Sequence, residues 1–166
     1  MWQSILEDYQ KERILGTLFP ERDVLGINYS VSQSKIAIGS AGFFGKGFSQ
    51  GTQTQLGFLP EAQTDFIFAS LIEEWGLLGG MLIIVAFLVL IFRIIKIGLA
   101  SDNNFNRFFC LGAIVLFGSQ FILNIGSNLG ITPVIGVTFP FLSYGGSSVL
   151  VNLILIGIVQ SIIVRK

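Results

Sequence analysis

From Phe108 to Val164 the chain carries no Asp, Glu, Lys or Arg. An uninterrupted charge-free stretch of that length cannot be solvated by water as an ordinary set of loops and half-buried faces, but hydrocarbon can solvate it. The composition agrees, since 52% hydrophobic residues, 12% charged residues and a mean hydropathy of +0.75 are not values of an ordinary soluble domain. The charges are also segregated, with nine of the ten acidic residues at or before Glu74. A formal net charge of zero, without any basic tract interleaved with aromatics, gives no footing for nucleic acid. With no His and a single cysteine, Cys110, inside an apolar run, the chain can build neither a zinc site nor an internal disulfide. Cys110 reads as a small buried or lipid-facing residue.

Three spans can be placed, which makes the fold class all-α: a polytopic membrane protein fragment with three transmembrane helices after a large loop containing short helices. Trp75 to Ile95 is 21 residues, roughly 31 Å of helix at about 1.5 Å per residue, matching a hydrocarbon core of about 30 Å. Residues 108–125 and 142–164 give the second and third. A carboxylate at a helix centre costs about 2.5–3.5 kcal/mol on insertion scales, so Glu73 and Glu74 mark the boundary of the first span. Residues 1–74 therefore form a loop region and residues 75–166 a membrane domain. Arg93, Lys96 and Arg107 flank the short turn between the first two spans, and Arg165 and Lys166 close the chain. The excess of Lys and Arg in these short flanks predicts that side, with the C-terminus, to be cytoplasmic and residues 1–74 to be extracellular, in a multi-pass membrane protein.

An external segment of that size has to be translocated, yet no signal-peptide pattern precedes it, so the chain reads as the second half of something longer. Trp2, Ile5, Leu6, Tyr9, Leu15 and Leu18 have helical spacing and predict an amphipathic helix. From Pro20 to Phe58 the composition shifts to Gly, Ser, Gln and isolated aromatics. Dense glycine there permits tight turns and close approach of backbone to a ligand, but Gly-Lys is not followed by Ser or Thr, so this is no nucleotide phosphate loop.

The order of short motifs is more specific than any one of them. Gln33-Ser34-Lys35-Ile36-Ala37-Ile38-Gly39-Ser40, Gly45-Lys46-Gly47, Gly51-Thr52-Gln53, Leu59-Pro60-Glu61 and Thr64-Asp65-Phe66-Ile67-Phe68-Ala69 come first. Glu73-Glu74-Trp75-Gly76, Asn124-Ile125-Gly126, Pro133-Val134-Ile135-Gly136 and Pro140-Phe141-Leu142-Ser143-Tyr144-Gly145-Gly146-Ser147-Ser148 follow. In this order they closely resemble the large extracellular loop and last three spans of the SEDS family, with a loop more like its RodA-like elongation branch than its division branch.

That resemblance implies a peptidoglycan glycosyltransferase that polymerises lipid II into glycan strands, partnered by a class B penicillin-binding protein. It also implies about ten spans, so an N-terminal half of the same family would accompany this chain. The reaction displaces undecaprenyl pyrophosphate by a sugar hydroxyl with inversion, and a positioned base should assist it by roughly 10²–10⁴-fold. Asp65 matches the family's loop aspartate and is the expected catalytic residue; read without the family, it would cap the helix entering the first span. Gln53, Glu61, Thr64, Ser143, Tyr144 and Ser147, with Lys35 and Lys46 to neutralise pyrophosphate, are the candidates for substrate binding.

If the segment after Pro60 is helical, Glu61 and Asp65 share a face and can raise one another's pKa. If one helix continues, Glu73 lies about 12 Å further along and about 80° around, too far to share a proton with Asp65. The Gly-Gly-Ser-Ser run has the makings of an anion-receptive helix start, against the plainer reading of a flexible turn with a serine cap. Pro133 and Pro140 make the connection before the last span irregular, and irregular apolar backbone must be buried in protein or at the interface. Asn124 and Asn128 are placed to satisfy it or to bond another helix. Gln63 stands where related loops often carry His, so Asp65 has no local imidazole partner. Asp65 then acts alone, with a group from the other half, or with a divalent cation such as Mg²⁺. Two other functions remain open, a transporter of lipid-linked precursors and a non-catalytic scaffold for the transpeptidase; the charge-free second and third spans weigh against transport.

Overall fold

Backbone hydrogen bonds that cannot be made to lipid must be made within the chain, and helices satisfy this throughout the membrane region. The computed structural model describes residues 28–164, which hold five helices and no strand. They are α1 (Tyr29–Ser40), α2 (Thr52–Gln55), α3 (Ile67–Leu99), α4 (Asn104–Leu129) and α5 (Gly146–Val164). The helix expected around Trp2 to Leu18, Arg165 and Lys166 lie outside the described residues. Helices α3, α4 and α5 are each long and apolar enough to cross a membrane. Their bounds differ from the expected spans: α3 begins before Trp75, α4 continues past Ile125, and Leu142 to Gly145 precede α5 in a turn.

Helix α3 is interrupted. Gly76 has φ 77° and ψ 179°, which breaks the hydrogen-bond ladder inside the 33-residue element. The groups it releases are taken by the loop after α1. Leu77 and Leu78 donate to the carbonyls of Gly42 and Phe43, while Glu73 and Glu74 accept from the amides of Lys46 and Gly47 at 2.9 and 3.0 Å. A side chain at Gly76 would overlap the Phe43 carbonyl as well as strain the backbone, so both the turn and the close approach require glycine. The remaining apolar length, Leu77–Leu99, still reaches about 35 Å at about 1.5 Å per residue.

Helix α4 is delimited by local chemistry. Asn103 accepts from the Phe105 amide at 2.9 Å as the N-cap. Gly130, at φ 70°, closes the other end in the left-handed conformation. Helices α3 and α4 pack along their length around Phe87, Ile94, Cys110, Ala113 and Phe117. Cys110 is buried against Gly98, whose missing side chain allows the two helices to approach. Towards the end bearing the loop, Phe87 stacks on Phe121 at 4.1 Å and Phe139 meets Phe121 edge-on at 5.4 Å. Phe139 thereby anchors the irregular 130–145 segment to the bundle, as its two prolines led us to expect.

Candidate functional site

Asp65 lies in a series of turns, not a helix. Pro60 does not open a helix and Glu61 has φ 51°; the Glu61 carbonyl accepts from the amides of Thr64 and Phe66 at 3.1 and 3.2 Å. The expected shared helical face of Glu61 and Asp65 is therefore corrected, because the left-handed residue folds the chain back before α3 starts. The Glu61 carboxylate instead accepts from Thr64 Oγ1 at 2.8 Å, tying two of the predicted substrate-binding residues to each other.

The turn is held by its backbone. The Gln63 carbonyl accepts from the Tyr144 amide at 2.8 Å. The Thr64 carbonyl accepts from Ser143 Oγ at 2.6 Å, and Ser143 Oγ also accepts from the Phe139 amide at 2.7 Å. The Asp65 carbonyl accepts from Asn124 Nδ2 at 3.0 Å and from Asn128 Nδ2 at 2.9 Å. Three consecutive carbonyls ending at Asp65 are thus fixed by donors from α4 and the 130–145 segment, all distant in sequence. Ser143 is buried and fully occupied, so it serves the turn and is not a donor to an anion. Asn128 does more: its Oδ1 accepts from the Ala69 amide at 3.0 Å, a role usually filled by an N-cap side chain. Phe66 is the N-cap of α3 and its side chain makes no cap bond. The capping role that Asp65 could have held is performed from another helix.

The Asp65 carboxylate, in a half-buried residue, adjoins Gly136: a methyl group there would lie 3.8 Å from Oδ2. Two cavities border this turn. An apolar groove of about 680 Å³ is lined by Gln63, Ile67, Tyr144, Val149 and Leu153 among others. A smaller cavity of about 400 Å³ includes Gly136, Thr138, Ser147, Ser148, Gln120 and Asn152. Ser147 and the Tyr144 side chain therefore line different cavities flanking one turn. Gly145, Gly146 and the two serines do form a helix start, with Ser148 Oγ hydrogen-bonded to Thr138 Oγ1 at 2.8 Å.

Glu73 was the least expected member of this region. It is fully buried, and it accepts from Lys46 Nζ (2.8 Å), the Gln53 and Thr54 amides (2.9 and 3.1 Å) and Thr54 Oγ1 (2.9 Å). The chemical reason lies at the start of α2. Gly51 has no side chain to cap the helix, so a remote carboxylate supplies the acceptor, and a side chain at position 51 would come 2.7 Å from Glu73 Oε2. A Lys and a Glu separated by 27 residues gave no local signal of this pairing; a Gly-Thr-Gln-Thr helix start without its own capping side chain was the available hint. The expected pyrophosphate role of Lys46 meets a competing ligand in Glu73 and Thr52, to whose Oγ1 it donates at 2.8 Å. Gln53 is held through its backbone. Lys35 is exposed and its side chain lies across Gly130 at the carbonyl end of α4, where a cation is favoured by the helix dipole.

Three membrane-length helices, with a polar turn pinned at one end beside an apolar groove, define a multi-pass membrane protein. The chain belongs to the cell cycle protein family of FtsW, RodA and SpoVE, whose pattern it matches over residues 1–166. It is 45% identical over 162 residues to the peptidoglycan glycosyltransferase MrdB of Escherichia coli K12, covering 98% of this chain and 44% of MrdB. It is 43% identical over 154 residues to stage V sporulation protein E of Bacillus subtilis, covering 93% of this chain and 42% of that protein. It also superimposes with a TM-score of 0.73 and 33% identity on a chain of a peptidoglycan synthase complex that coordinates polymerization and crosslinking. That match covers 93% of this chain and 41% of the other. The chain thus spans less than half the length of these relatives.

Proposed function

We propose that this chain forms the catalytic end of a peptidoglycan glycosyltransferase that polymerises lipid II, with Asp65 as general base. The observation that carries the reading is the pinning of the Gln63, Thr64 and Asp65 carbonyls, which fixes a carboxylate in a turn whose flanking residues Gln63 and Ile67 line an apolar groove. Rigid placement is what a base needs, since the oxygen bearing the proton it takes must lie about 2.6–3.2 Å away. The acceptor hydroxyl oxygen bonds to the anomeric carbon of the donor as the bond from that carbon to pyrophosphate breaks. The hydroxyl proton passes to Asp65, and undecaprenyl pyrophosphate departs with the bonding electrons. The groove, lined by Val149, Leu150 and Leu153, would keep the polyprenyl chain in an apolar environment while the sugars remain at the polar turn.

In this reading Glu73 and Lys46 shape the loop and do not touch the reacting atoms. Among the described residues no three His, Cys, Asp or Glu side chains are placed to hold a metal ion. A divalent cation at Asp65 would draw its other oxygen ligands from pyrophosphate and water. The loop region up to Glu74 is read as external and the Arg93, Lys96 and Arg107 end as cytoplasmic, a reading supported by the excess of Lys and Arg in the short flanks. Glu61 and Thr64 are kept as substrate contacts, as are Ser147 and Tyr144 in their cavities. The likeness to a synthase complex supports a class B penicillin-binding protein as partner.

The test is polymerisation of labelled lipid II by the protein together with a class B penicillin-binding protein, comparing the native form with Asp65→Asn. Loss of at least 10²-fold in rate with an unchanged melting temperature is expected. Undiminished polymer from the variant removes Asp65 as base, and no polymer from the native protein turns the reading towards transport or scaffolding.

A further inference from the structure

The loop between α1 and α2 exposes Phe43, Phe44 and Phe48 by 59%, 80% and 77%. Three such side chains in so short a segment would be costly in water, at about 25 cal/mol per Å² of apolar surface. Their position relative to α3 is set by backbone hydrogen bonds. Gly42 and Phe43 are bonded to Leu77 and Leu78, the first residues after the Gly76 break, and Phe43 and Phe44 meet edge-on at 5.8 Å. Phe43 therefore sits level with the beginning of the apolar run whose exposed face continues through Leu78, Met81 and Leu82. Trp75, one residue before the break, is exposed too, as suits a side chain at the depth of lipid headgroups.

Charge gives an independent indication. Between residues 36 and 60 the only charged side chain is Lys46, and it is paired with buried Glu73 at 2.8 Å. The loop thus presents aromatic rings without an unpaired charge that would hold it in water.

We infer that the Phe43–Phe48 loop is a membrane-dipping anchor, its rings inserted into the bilayer leaflet at the loop-bearing end of α3. The lipid-facing surface of α3 is continued by the loop, and the Gly76 break is the joint at which the loop is hydrogen-bonded to the span. Anchoring at this point fixes the depth of α2, which Glu73 ties to α3 through the Gln53 and Thr54 amides. The inference concerns how the chain sits in the bilayer and stands whatever reaction the protein catalyses.

The test is spin labelling of the protein in phosphatidylcholine vesicles, in a Cys110→Ser background, with single labels introduced by Phe44→Cys, Leu82→Cys as the lipid reference and Gln50→Cys as the water reference. The label at 44 is expected to collide with oxygen in preference to a water-soluble nickel chelate, as at 82, and opposite to 50. Chelate access equal to that at 50 overturns the inference by placing the loop in water. Shielding from both reagents overturns it by showing a protein cover. In the Phe43→Ser/Phe48→Ser double variant the label at 44 is expected to move towards water. An unchanged depth there means that the probe inserts by its own hydrophobicity, and overturns the inference as well.

Discussion

Two carboxylates eight residues apart are treated in opposite ways. Around Glu73 the side chain draws the donors: an ammonium, two amides and two hydroxyls surround a carboxylate with 0% exposure. At Asp65 it is the backbone that is gripped by uncharged donors distant in sequence, at three successive carbonyls from Gln63 to Asp65, in a half-buried residue beside Gly136. The first arrangement uses a charge to hold loop and helix together. The second uses uncharged groups to hold the polypeptide so that the carboxylate is aimed. A carboxylate surrounded by donors of its own loop serves to hold that loop, whereas a backbone pinned at three carbonyls gives the carboxylate it carries a fixed position, which is what acid-base chemistry requires.

The contrast predicts separable losses. Asp65→Asn should abolish polymerisation and leave the melting temperature in place. Lys46→Met should do the reverse in kind: it strands the buried Glu73 charge with only neutral donors, at a cost of about 3–5 kcal/mol. A fall in melting temperature in detergent, with activity per folded molecule retained, is the expected result. A Lys46→Met protein that melts normally yet cannot polymerise would move Lys46 to the substrate and dissolve the contrast.

Asn128→Ala probes the clamp between these extremes. It removes a donor to the Asp65 carbonyl and the acceptor for the Ala69 amide, and each unsatisfied buried group costs about 1–3 kcal/mol. The rate should fall more than substrate affinity does, because displacement of the base affects the transition state before it affects binding. Steady-state measurement at several lipid II concentrations distinguishes the two. Gly76→Ala is expected to cost a further few kcal/mol, about 1–3 from the positive φ alone, and to loosen the loop from α3. Faster proteolysis between residues 42 and 58 would report it.

How far the sequence revealed this follows from which signals are local. The spans were legible because hydropathy is a running property of the chain, and Asn124 and Asn128 stood out as amides near the end of the second span. The Gly76 break was not, since a glycine within Glu-Glu-Trp-Gly-Leu-Leu reads as a tolerated helical residue until the partner loop is known. The Glu61 turn was missed for a related reason. A proline followed by Glu, Ala and Gln has the composition of a helix start, and only the packing of residues 139–144 against it favours the folded-back form. Asp65 was identified through a series of motifs, but its clamp joins residues as far apart as Gln63 and Tyr144. No spacing rule reports a contact of that kind.

Asn152 sharpens the comparison from the other direction. It is as deeply buried as Asn124 and Asn128, at 1% exposure, yet neither Nδ2 nor Oδ1 has a hydrogen-bond partner within the described residues. Gln120 Oε1, lining the same cavity, is likewise unpartnered. A buried amide in this condition costs about 1–3 kcal/mol relative to an apolar side chain of similar shape. Asn152→Leu should therefore raise the stability of this chain by about 1 kcal/mol, the smallest of these effects, read as a higher melting temperature in detergent. Applied to Asn128, the same Asn→Leu change should destabilise, because there the amide bonds are made. If both substitutions destabilise alike, the cavity beside Asn152 is filled by a polar group, and Asn152 belongs with the clamp.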